Sequence, residues 1–180
     1  MDILQWLKLD HEAMLRSVEK LGDGNPDDRV VAAKGPIGKL VAELAFDLLG
    51  HLKAEEEYLL PELSQRFPGS DLIMDLCSAN QSVMRKHVKS LIKASTGQDQ
   101  EAMEGAVAGL RKAIQQHLEV QEMQLMPKLR LHVPTSERED LGLLMQDMME
   151  DLRGEGLDIA AELKNASVRS KPASGGHARA

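Results

Sequence analysis

The chain has 180 residues, enough for one domain with a substantial core, and its apolar and charged shares, 42% and 28%, are ordinary for a globular protein. A net charge of −7 argues against nucleic acid or an anionic membrane as the main partner. Two Phe, one Tyr and one Trp leave the core to aliphatic side chains, which suits helices better than sheets.

The cysteine content and the first residues bear on the cellular compartment. The single cysteine, Cys77, excludes an intramolecular disulfide and fits a reducing compartment. The beginning of the sequence lacks the basic and apolar segments of a signal peptide, and no run is long and apolar enough to cross a bilayer. We therefore expect a cytoplasmic protein with no membrane partner.

Apolar residues at helical spacing predict helices as far as residue 165. In chain order, the predicted helices cover residues 3–21, 36–67, 70–94 and 100–126, then a fifth helix that begins near Thr135 and breaks at Gly154 and Gly156, and a short piece at 157–163. Ser70 and either Thr135 or Ser136 are candidate N-caps. No strand is predicted.

The helix order predicts an all-α fold, an up-down-up-down four-helix bundle with an additional C-terminal helix. The bundle domain is expected to occupy residues 1–165. Residues 166–180, rich in Ser, Lys, Pro, Gly, Arg and Ala, are expected to form a disordered tail.

Each of the first four predicted helices carries one histidine in or beside its apolar row: His11, His51, His87 and His117. A lone histidine in such a row is usually a hydrogen-bonded core residue. Four together indicate a shared site if their heights in the bundle agree. The heights agree across the first two antiparallel hairpins and agree poorly across the third.

Carboxylates accompany two of these histidines. Glu55 lies four residues after His51 and therefore on the same helical face, where an unpaired carboxylate would need a cation. His117 is followed at the same distance by Gln121, and then by Glu122. In both segments a proline, Pro61 or Pro127, stands ten residues after the histidine. Mixed imidazole and carboxylate ligands suit iron, manganese or zinc, but not calcium.

With these motifs, residues 1–130 resemble the hemerythrin-like (HHE) cation-binding domains. The resemblance implies a non-haem di-iron centre, oxo- or hydroxo-bridged, in which His11, His51, Glu55, His87 and His117 are ligands. It also implies a second bridging carboxylate near Gln121, where the family pattern has Glu.

Two positions depart from that family pattern. We expect Glu122 to replace the missing acid, which requires a local widening of the helix because five residues turn the side chain away from His117. The third helix also lacks the family's Glu-His pair and has Asn80 and Gln81 near that place. The predicted metal ligands are thus His11, His51, Glu55, His87, His117 and Glu122.

Three functions are compatible with this site. The leading hypothesis is a di-iron protein that binds dioxygen or a related small molecule, with a role in oxygen binding, sensing or storage. The alternatives are an enzyme that turns over peroxide or nitric oxide at the same centre, and a metal-free interaction module whose site has degenerated. Binding and turnover both need an open metal position, so the sequence does not choose between them.

Overall fold

The computed structural model describes residues 1–23, 36–67, 70–97 and 99–165, and every regular element in these ranges is helical. The helices are α1 (Ile3–Asp23), α2 (Pro36–Ala54), α3 (Leu60–Arg66), α4 (Asp71–Thr96), α5 (Gln100–Val120), α6 (Met126–His132), α7 (Thr135–Glu155) and α8 (Ile159–Asn165). The all-α prediction is therefore confirmed. The tail predicted from residue 166 lies outside the described residues.

Two apolar clusters, one above the other, establish the direction of the helices. In α1 and α4 the chain passes from the cluster around Leu7 and Ile73 to the cluster around Val18 and Leu91. The segments that begin with α2 and α5 pass in the opposite sense, so neighbouring helices are antiparallel. The bundle is the expected up-down-up-down arrangement, and a polar layer separates its two apolar clusters.

Two pairs of helices, α2 with α3 and α5 with α6, are each continuous through one π-helical turn. These turns are Glu55–Leu59, which precedes Pro61, and Gln121–Leu125, which precedes Pro127. The Leu60 N–H donates to the Glu55 carbonyl and the Met126 N–H donates to the Gln121 carbonyl, each spanning five residues. Proline lacks an N–H and cannot continue the α-helical pattern, so the bulge lies just before each proline.

The inner face of α4 differs from the predicted one. Apolar spacing along this helix predicts an inner row through Leu72, Leu76 and His87, but Leu72 is 69% exposed and Leu76 is 39% exposed. The buried row is shifted by about one residue, which rotates the helix by about 100°. Its members are Ile73, Cys77, Gln81, Met84, Arg85, Val88 and Leu91.

The helix ends follow simple local rules, with two differences from the prediction. Asp99 caps α5 by accepting from the Ala102 N–H at 3.0 Å. Ser70 and Thr135 stand at the predicted helix starts, but neither helix has a side-chain cap there. Gly156, with φ of 91°, ends α7 where a glycine break was expected.

The two C-terminal helices cover different parts of the bundle. α7 packs on α1 and α2, and α8 packs on α2 and α4. Gly142 of α7 meets the backbone at the start of the chain so closely that an added Cβ would lie 2.1 Å from the Met1 carbonyl oxygen. The additional C-terminal helix thus holds the beginning of α1, and through α1 it supports the polar layer.

Candidate metal centre

Three histidines and one glutamate meet in the polar layer of the bundle. His11 comes from α1, His51 from α2, Glu55 from the first residue of the following π turn, and His117 from α5. One ligand atom from each lies within 4.8 Å of every other, and all four side chains are buried. The fold therefore brings together residues that are far apart in the sequence.

The distances converge on one oxygen of Glu55. His51 Nε2 lies 2.8 Å and His117 Nε2 3.4 Å from Glu55 Oε1, and the two nitrogens are 3.4 Å apart. The His11 ring lies edge-on to both other imidazoles, with ring centres 5.3 Å and 6.0 Å away. Neither His11 nitrogen makes a hydrogen bond of ordinary geometry within the described residues, although the Gln121 amide is close enough to favour the charged form of the ring. A buried imidazole of this kind has a nitrogen lone pair that a metal ion would use as a ligand.

His51 is oriented by two residues of α1. The His51 Nδ1–H donates to Asp10 Oδ2 at 2.7 Å, which leaves Nε2 on the side of the cluster. The Trp6 ring stacks on the imidazole at 5.8 Å with an interplanar angle of 4°. A carboxylate behind a histidine is the usual support of a metal-binding imidazole, because it fixes the tautomer and makes the ligand more basic.

Electrostatics divide the cluster into one charged pair and one neutral ring. Burial disfavours a charge on His51, but Glu55 and Asp10 outweigh it and raise the His51 pKa to about 10. Burial would raise the pKa of Glu55, yet His51 and His117 hold it well below its usual value. Burial and the nearby His51 charge lower the His11 pKa to about 3. A metal ion here would displace the His51 proton and take its place as the partner of Glu55.

Two amides complete the polar layer. Gln81 Nε2 of α4 donates to Glu55 Oε2 at 2.9 Å, and Gln121 Nε2 donates to Glu55 Oε1. Both side chains are buried. Each oxygen of Glu55 therefore accepts a hydrogen bond from an amide of a different helix.

The other two predicted ligands are not brought to this cluster. His87 lies on the α4–α5 side, half-buried, where its ring sits against Gly109; an added Cβ on Gly109 would be 2.7 Å from the ring. The shifted phase of α4 explains this position, because Gln81 occupies the inner face instead. Glu122 is exposed although the predicted widening of the helix is present. The π turn begins at Gln121 and keeps that residue on the side of His117.

One sequence signal could have located the inner residues. Buried positions follow in equal steps of four along both interrupted helices, at 51, 55, 59 and 63 and at 117, 121, 125 and 129. In a regular α-helix each step of four drifts by about 40°, so four successive core positions at this spacing require a wider turn. Regular α-helical spacing after His51 and Glu55 predicts Tyr58 as the next inner residue, but the wider turn buries Leu59 instead and leaves Tyr58 half-buried. Asp10 gave no comparable signal.

The donor set fits a first-row transition-metal ion. Imidazole nitrogens and carboxylate oxygens bind such ions at about 2.0–2.2 Å, so donors on one ion lie at most about 4.4 Å apart. The cluster needs shifts of only a few tenths of an ångström to meet that limit. Hard oxygen-preferring cations such as calcium fit poorly, because three of the four donors are imidazoles.

A helical bundle with a buried His/Glu cluster of this kind is a metal-binding helical domain. The chain belongs to the hemerythrin HHE cation-binding domain family, whose family model matches residues 2–129. No curated protein and no solved structure matched the chain. Within the described residues, no helix has the length and apolarity that a membrane crossing needs.

Proposed function

We propose that the protein binds iron through His11, His51, His117 and Glu55 and uses it to bind dioxygen or a related small molecule. The observation that carries this proposal is the buried convergence of three imidazoles on one carboxylate, with no hydrogen bond of ordinary geometry to either His11 nitrogen within the described residues. Iron accepts more than four ligands, so an iron ion held by these four residues would keep open coordination positions, which is what dioxygen, nitric oxide or peroxide requires.

The residues around the cluster have distinct supporting roles in this proposal. Asp10 orients His51 by accepting a hydrogen bond from its Nδ1–H, while Trp6 limits the rotation of the ring. The apolar clusters on both sides exclude bulk water from the layer, which strengthens every charge interaction within it. The cytoplasmic location remains a prediction that rests on the sequence.

The di-iron centre expected from the sequence would need more carboxylates than this cluster provides. Two bridging carboxylates are needed to offset two ions, and the cluster in the described residues contains one, Glu55. Gln121 and Gln81 supply neutral amides. The same amides favour the alternative of a metal-free module, which direct metal analysis separates from the leading proposal.

The test is the iron content of untagged protein produced with ample iron, compared with two histidine variants. We expect bound iron in the wild-type protein, loss of most of it in His51→Ala, and retention in His87→Ala, the matched control outside the cluster. Addition of nitric oxide to the reduced protein should then change the electron paramagnetic resonance spectrum. Wild-type iron content no higher than that of folded His51→Ala would reject the proposal in favour of the metal-free module.

A further inference from the structure

The contacts of Glu55 bear on how many ions the centre holds, an inference that rests on the proposed metal binding. A carboxylate that bridges two ions uses one oxygen for each. In this protein each oxygen of Glu55 accepts from an amide, Oε2 from Gln81 at 2.9 Å and Oε1 from Gln121, but the contacts with His51 and His117 are made by Oε1. Gln81 is buried and has no competing solvent contact. Only one oxygen of Glu55 is thus directed at metal-binding imidazoles.

The spacing of the donors agrees with this asymmetry. Ions in two-metal sites are about 3.5–4 Å apart, so donors at opposite ends of such a site are separated by about 8 Å. The four donors found here all lie within 4.8 Å of one another. They surround the volume of one ion.

The charges around the cluster lead to the same number. Glu55 provides one negative charge, and Asp10, in contact with His51, provides a second, which together offset one divalent ion.

We propose that the protein holds a single metal ion, and that the amides of Gln81 and Gln121 set this number by occupying the places of a second set of donors. Gln81 keeps Glu55 bound through one oxygen. Gln121 fills, without a charge, the position four residues after His117 that matches Glu55 after His51. The centre is therefore a three-histidine, one-carboxylate site that offers no second set of metal ligands on the α4 side.

The test is an anaerobic titration of the metal-free protein with Co²⁺, followed by visible absorption. We expect an end point at one equivalent for the wild-type protein. In the double variant Gln81→His, Gln121→Glu, which places an imidazole and a carboxylate at the two amide positions, we expect the end point to move to two equivalents. Circular dichroism establishes that each variant is folded.

The possible results separate this inference from the proposed function. An end point of two equivalents in the wild-type protein would overturn the single-ion inference and leave metal binding intact. A folded double variant that stays at one equivalent would overturn the role given to the amides. Cobalt binding in the wild-type protein no stronger than in His51→Ala would contradict the proposed function itself.

Discussion

At the scale of single residues, His51 is the side chain on which the centre depends most. It contacts Asp10 through one nitrogen, Glu55 through the other, and Trp6 through its ring face. Each contact removes one freedom: the tautomer, the direction of Nε2 and the rotation of the ring. An imidazole that is already oriented loses little entropy when it binds an ion.

Asp10 is therefore expected to control metal affinity without binding the ion. Asp10→Asn keeps the shape of the side chain but removes the charge that supports the His51 Nδ1–H. We expect metal affinity to fall by about 10- to 100-fold, as for other residues that support a metal-binding histidine. The measurement is competition with a chelator. Glu12→Gln, an exposed acid of the same helix paired with Arg16, is the control and should leave affinity unchanged.

The pKa shifts predict a stability maximum near pH 6.5 in the metal-free protein. His11 has a folded pKa of about 3 against 6.5, so between these values only the unfolded chain takes up its proton, and stability falls as the pH drops. His51 has a folded pKa of about 10, so its contribution is complete below pH 6.5 and is lost as the pH rises towards 10. The lowered pKa of Glu55 adds a further loss below its usual value of 4.5.

Urea unfolding of metal-free protein from pH 4.5 to 9 measures this profile. One group contributes a slope of at most about 1.4 kcal/mol per pH unit. His11→Gln should remove the slope attributed to His11 between pH 4.5 and 6.5 and leave the alkaline side unchanged. If His11→Gln keeps the wild-type slope between pH 4.5 and 6.5, the result would show that burial does not hold His11 neutral.

At the scale of helices, the two π turns determine which residues form the polar layer. Each turn cancels the drift of a row spaced by four residues, so that Glu55 and Leu59, or Gln121 and Leu125, lie on the same side. The prolines at 61 and 127 explain why the chain accepts a wider turn at these places. The predicted widening near His117 is thus present, but its effect is to bury an amide and to leave Glu122 in solvent.

Gly142 provides a test of how α7 supports α1. In Gly142→Ala the new Cβ would be 2.1 Å from the Met1 carbonyl oxygen and 2.9 Å from the Ile3 nitrogen, so backbone must move. We expect a loss of about 1–3 kcal/mol, as for other overpacked sites. The matched control is Gly154→Ala in the same helix, where nothing lies within 4 Å of the added atom.

Both glycine variants can be compared by thermal unfolding. Gly154→Ala should be neutral or stabilise the protein by up to about 1 kcal/mol, because alanine has the better helix propensity. Gly142→Ala should melt at least ~2 °C below the wild-type protein at this chain length. Equal melting temperatures for the two variants would mean that the backbone at the start of α1 moves away from the added Cβ without any loss of stability.

At the scale of the whole molecule, the sequence predicts the bundle and four of the six side chains of the polar layer. The inner rows of α1, of α2 with the first residue of its π turn, and of α5 are apolar except at the histidines and Glu55, so these faces can be read directly. α4 has two candidate rows with similar spacing, and polar Gln81 and Arg85 interrupt the true one. Their partners elsewhere in the fold, Glu55 for Gln81 and both Glu56 and Glu162 for Arg85, make these residues acceptable in the interior. No periodicity within α4 contains that information.

The origin of the four donors also makes a bound ion a removable cross-link. It would join α1, α2 and α5 at residues 11, 51 and 117, closing chain segments of 40 and 66 residues (51 − 11 and 117 − 51). α4 would be attached to it only through the Gln81 amide. Unfolding then requires release of the metal ion. Each tenfold rise in the free metal concentration above the dissociation constant adds about 1.4 kcal/mol to the free energy of unfolding. We expect metal to rigidify three helices and to leave α4 as the side on which the bundle can still open.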